Sequence, residues 1–62
     1  MWVVVYLALN LTEAWTVRDR LSAEGVLVRL RVTGSDAGDG SSVEVLVPEA
    51  EVAEAMEVLN TF

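Results

Sequence analysis

Residues 21–32 read LSAEGVLVRLRV, and this stretch decides the fold. Gly25 follows an amphipathic run and suits the left-handed backbone that ends a helix, with Val26 placed to close a hydrophobic cap. From Val26 onward the period changes. Val26, Val28, Leu30 and Val32 alternate with Leu27, Arg29 and Arg31, as on a strand with one buried face. Helix gives way to strand at a single glycine.

Toward the N-terminus, Asn10 stands three residues before Glu13 in a capping-box arrangement. The Asn10 side chain is placed to accept from the Glu13 amide, and Glu13 to reach back to the Asn10 amide. The helix is therefore expected over residues 11–24, with Ala14, Val17 and Leu21 inward. Residues 2–8 (WVVVYLA) have the β-branched and aromatic content of a strand. Toward the C-terminus, residues 33–42 (TGSDAGDGSS) read as a flexible connection and residues 43–47 (VEVLV) as a third strand. Pro48 ends that strand and suits the first turn of a helix. Glu49 and Glu51 then favour the positive end of a helix over residues 49–60, with Val52, Ala55, Met56 and Leu59 inward.

The order β-α-β-β-α, with a hairpin after the crossover, places the third strand between the first two. The expected fold is α+β: a ferredoxin-like half-sandwich lacking its fourth strand. A three-stranded antiparallel sheet of order 1-3-2 carries two helices on one face, in a single domain over residues 1–62.

With 62 residues, 53% hydrophobic, the chain must stabilise itself with a small core and no disulfide. Surface scaling leaves hydrophobic gain and ordering cost nearly balanced. Ten carboxylates face four basic residues, all Arg, for a net charge of -6, and there is no His or Cys. Imidazole bases, thiolate nucleophiles, ordinary transition-metal sites and Lys Schiff bases are thus excluded, and the expectation is a non-catalytic chain without cofactor or metal. The acidic balance disfavours nucleic acid and anionic membranes. Residues 1–11 are apolar but lack a basic flank and are too short to span a bilayer, so they read as a strand of a cytoplasmic protein. Asp36 and Asp39 do not have EF-hand spacing, and the run around them lacks the Lys of a phosphate loop; both read as turn formers. Glu49, Glu51, Glu54 and Glu57 read as a solvated helix face.

Strict alternation points Val3, Val5 and Leu7 toward the helices. Trp2, Val4, Tyr6, Leu27, Arg29, Arg31, Glu44 and Leu46 fall on the opposite face. Aligning Val32 with Val43 sets Arg31 opposite Glu44 and Arg29 opposite Leu46. Aligning Val5 with Val45 sets Val4 beside Leu46 and Tyr6 beside Glu44. The uncovered face then has an apolar middle of Trp2, Val4, Leu27 and Leu46 rimmed by Tyr6, Arg29, Arg31 and Glu44, which is the composition of an interface. The outer edge of the first strand has none of the usual protections of Lys, Pro or a bulge between residues 2 and 9. Trp15 lies off the inner stripe, where it can cover Leu11 and the Arg18 stem through a cation–π contact or else meet a partner.

VVYLALN, LSAEGVLVRLR and VEVLVPEAEVAEAMEVL resemble a family of small prokaryotic signal-transducing proteins of unknown function, relatives of the nitrogen-regulatory PII-like group. The resemblance covers nearly the whole chain and implies a ferredoxin-like fold and a regulatory role. It implies no catalytic motif, and PII-like nucleotide binding does not carry over, because the loop here is short and lacks basic residues. The expected function is a regulatory interaction module acting through homodimerisation or a protein partner, using the open face, the first-strand edge or both. The alternative is an anionic-metabolite sensor with a ligand near Arg29 and Arg31 at a subunit interface.

Overall fold

A computed structural model of the chain describes residues 1–33 and 42–61. The strand β1 (Trp2–Ala8), helix α1 (Leu11–Ala23), strands β2 (Arg29–Val32) and β3 (Val43–Pro48), a 3-10 turn (Glu49–Glu51) and helix α2 (Val52–Asn60) follow in that order. β3 lies between β1 and β2, antiparallel to both. This is the α+β, 1-3-2 arrangement expected of a ferredoxin-like half-sandwich. No described helix is long and apolar enough to cross a membrane. The connection expected over residues 33–42, with the expected turn formers Asp36 and Asp39, lies mostly outside the described residues. Its two ends meet where the Thr33 amide donates to the Ser42 carbonyl at 2.9 Å.

Both ends of α1 form as the residues dictate, with one change of partner. Asn10 Oδ1 accepts from the Glu13 amide at 2.8 Å. The Glu13 carboxylate, however, reaches one residue further back than expected, accepting from the Leu9 amide at 2.7 Å rather than from Asn10. At the other end the Gly25 amide donates to Ser22 O and the Val26 amide to Leu21 O, at 2.9 and 3.1 Å. Gly25 has φ +87°, the left-handed value that this pair of bonds requires. Val26 and Leu21 are both buried, so the cap closes on an apolar contact.

The core forms between one sheet face and both helices. Ala14, Val17 and Leu21 of α1 and Ala55 of α2 meet Ala8, Val43, Val45 and Val47, with Val26 at the edge. The inner stripe of α2 differs from expectation: Val52, Ala55, Val58 and Leu59 pack inward, while Met56 is 44% exposed. The cause is the 3-10 turn, whose tighter winding resets the phase at which the α-helix starts. The stripe centres on Ala55, which puts Met56 about 100° around the helix.

β2 begins three residues later than the alternation suggested, and Pro48 explains why. Thr33–Ser42, Arg31–Glu44 and Arg29–Leu46 are successive hydrogen-bonded pairs on that side of β3. Leu27 and Pro48 would come next, but Pro48 has no N–H to give. The Leu27 amide turns instead to the Glu51 carboxylate, at 2.9 Å. On the opposite side Pro48 is harmless. The Glu49 amide donates to Met1 O at 2.8 Å, so Met1 and Val3 are the hydrogen-bonded positions of β1 and the Trp2–Pro48 pair needs no bond.

β1 departs from regular alternation. Val4 pairs with Leu46 but Tyr6, not Val5, pairs with Val45. Val5 is an extra residue, and both Val5 and Tyr6 pack against the core. Such a β-bulge reverses the facing of everything beyond it. Leu7, expected inside, therefore lies opposite Glu44 and is 58% exposed, while Ala8 takes the buried place opposite Val43.

Candidate interaction surface

The helices leave one sheet face uncovered, and the bulge decides who occupies it. Trp2, Val4 and Leu7 come from β1, Glu44, Leu46 and Pro48 from β3, and Arg29 and Arg31 from β2, with Leu27 just ahead of it. Tyr6 is a correction to the expected set. It lies on the helix side, where its hydroxyl donates to Glu13 Oε2 at 3.0 Å. Leu7 takes the outward place instead. Glu13 thus ties the chain entering α1 to the core side of β1 through two acceptors.

That hydrogen bond, partial burial of the ring and the neighbouring negative charge together raise the Tyr6 pKa above its ordinary 10.0. Since folding raises this pKa, the contact supports the native state below pH 10.0 and its contribution is lost as pH rises through the native value. Tyr6 is the one tyrosine, so an absorbance titration reports it directly. The native midpoint is expected above 10.0, returning toward it in Glu13→Gln. A midpoint unmoved by that substitution would show that the contact does not form in solution.

Leu46 is the second correction. It sits mid-face opposite Val4 on one side and Arg29 on the other, yet it is only 4% exposed. The cover comes from within the chain. The Arg29 guanidinium lies over the Trp2 ring, 4.9 Å from its centroid. The two residues belong to the outer strands, about 9.6 Å apart across β3. Their stack bridges the central strand, with the aliphatic stem of Arg29 beside Leu46. Arg31 is also engaged, its Nε and Nη2 on Glu44 Oε1 at 2.7 and 2.6 Å. With the Arg31 side chain mostly exposed, that pair contributes a few tenths of a kcal/mol and fixes register more than it stabilises.

Apolar side chains also stay exposed on this face, beside the exposed Arg29 and Arg31. Val4 is 42% and Leu27 60% exposed, beside Leu7 and the Trp2 ring. Trp15, on the outer side of α1, is half exposed as well, but the Arg18 guanidinium engages Asp19 at 3.1 Å. The cation–π contact anticipated at Trp15 is found instead at Trp2. The groove between the helices is lined by Arg20, Glu24, Glu54, Glu57, Val58 and Thr61, a mixed and open surface. Comparison with protein-family models, curated proteins and solved structures finds no match to this chain.

Proposed function

We propose that the chain is a non-catalytic regulatory module that works by association, with a second copy of itself as partner. The observation that carries this is the apolar set Trp2, Val4, Leu7 and Leu27, exposed together on the face the helices leave open. Apolar side chains exposed on one face, here around the Trp2–Arg29 stack, favour association in a protein this small. Charge points the same way. Arg29 and Arg31 against Glu44 leave the face with one net positive charge in a chain of net charge -6. Two copies meeting there bring only one net positive charge each into the contact and leave the excess carboxylates outside it. The resemblance of the VVYLALN and VPE-containing segments to small signal-transducing proteins supports a regulatory role, and the absence of cysteine fits a cytoplasmic setting.

The anionic-metabolite reading is the weaker one, because the ring of Trp2 and the carboxylate of Glu44 already occupy both guanidinium groups. Sedimentation velocity from low to high micromolar concentration is the direct test. A reversible shift toward dimer is expected, and a monomer throughout would overturn the proposal. In parallel, inorganic phosphate is expected to leave the melting temperature unchanged. A rise abolished in Arg29→Ala would replace the interaction module with the sensor.

A further inference from the structure

Association of this chain can use two surfaces, the open face or the outer edge of β1, and the geometry points to one of them. We propose that two copies pack sheet to sheet about a two-fold axis, helices outward, and do not join edge to edge through β1; this rests on the self-association proposed above.

The edge is closed by its own backbone. Adding a strand requires outward N–H and C=O groups at every second residue. Met1 and Val3 turn theirs toward β3, so those of Trp2 and Val4 point outward. Regular spacing would continue at residue 6. The extra Val5 assigns that place to the β3 side, through the Tyr6–Val45 pair, and delays the next outward position to Leu7. A partner strand could bond uninterrupted only along residues 2–4, and the bulge adds a local twist that turns the edge aside. The other free edge, β2, has four residues and carries Arg29 and Arg31, so it is protected by shortness and charge.

The face has the opposite character. Leu27 lies at its β2 margin and Val4 and Leu7 on β1, with the Trp2–Arg29 stack between them. A two-fold axis near that stack brings each copy's apolar set onto the other's, as an isologous contact requires. The acidic helices then point away from one another. Three strands spaced about 4.8 Å apart, the longest about 24 Å, present roughly 350 Å² in projection. That footprint is small beside the patches that form standard stable interfaces. The dimer is accordingly reversible, set by concentration rather than obligate.

The test combines sedimentation of the full chain and of Leu27→Glu with amide exchange at Val4 above and below the association midpoint. Leu27 lies two strands away from the β1 edge, so a charge there burdens only the face contact. Association is expected to weaken at least about tenfold in Leu27→Glu, while the folded monomer remains. In the wild type the outward Val4 amide is expected to gain no protection on dimerisation. Dimers that survive Leu27→Glu, or Val4 protection that rises with concentration, would overturn the face-to-face arrangement and leave association itself standing. A wild type that stays monomeric would overturn both. Leu27 is 60% exposed, so loss of folding is not expected; circular dichroism of Leu27→Glu and of the milder Leu27→Ser checks this.

Discussion

Leu21→Ala is expected to cost about 2–5 kcal/mol, enough to unfold much of the population at room temperature. Among the described residues Leu21 is the largest fully buried side chain, with no exposed surface. Its carbonyl also accepts from the Glu24 and Val26 amides, so the residue that fills the core anchors the helix end. Truncation leaves a cavity that this neighbourhood of Val and Ala is poorly shaped to refill. A chain this short rarely holds more than about 3–5 kcal/mol in reserve, so one cavity is comparable to the whole. Urea unfolding followed by circular dichroism measures the loss, with Met56→Ala as the contrast. Met56 lies off the inner stripe and its truncation is expected to stay within about 0.5 kcal/mol. Equal losses at the two positions would mean that α2 packs in the phase its sequence first suggests, with Met56 inward.

That contrast marks where the residues were sufficient guides and where they were not. Gly25 announced the end of α1 because few residues accept its backbone angle, and alternation in β2 and β3 announced their pairing, although Val32, read as inward, is 60% exposed at the end of β2. Arg31 opposite Glu44 and Arg29 opposite Leu46 followed directly. β1 carried no such signal. Every residue of WVVVYLA is apolar or aromatic, so inserting one residue into the ladder violates no hydrophobic pattern, and the strand is silent about its register. The trace it leaves is chemical: a Tyr hydroxyl packed beside a core needs an acceptor, and Glu13, seven residues on, has one oxygen to spare after capping α1. Pro48 was legible as a strand end, but its effect on β2 was not, since that depends on which side of β3 its missing N–H would face. The burial of Leu46 was hidden for a similar reason. Pairing placed Arg29 beside it, while the reach of Arg29 across β3 to Trp2 is a matter of side-chain geometry in three strands at once.

The bulge yields the second large effect. Deleting Val5 is expected to preserve the fold and change how chains meet. On either side of Val5 the register already runs as a regular ladder would, Val4 with Leu46 and then Tyr6 with Val45, Leu7 with Glu44 and Ala8 with Val43. Removing the extra residue therefore joins two correctly facing halves without turning any side chain over. The cost is the packing of one partly buried Val, about 1.5 kcal/mol at most. The outward groups of Trp2, Val4 and Leu7 then fall at even spacing along a flatter strand without Lys, Pro or any charge, which is the template that recruits other strands. Higher-order, thioflavin-positive species are expected, with Val4 amide protection that rises with concentration. Val5→Ala is the matching control, since it loses most of the same side chain but keeps the chain length and hence the bulge. It is expected to associate as the wild type does. If the deletion variant stays as reversible as Val5→Ala, the inserted residue does not guard the edge, and the shielding of β1 must come from its side chains instead.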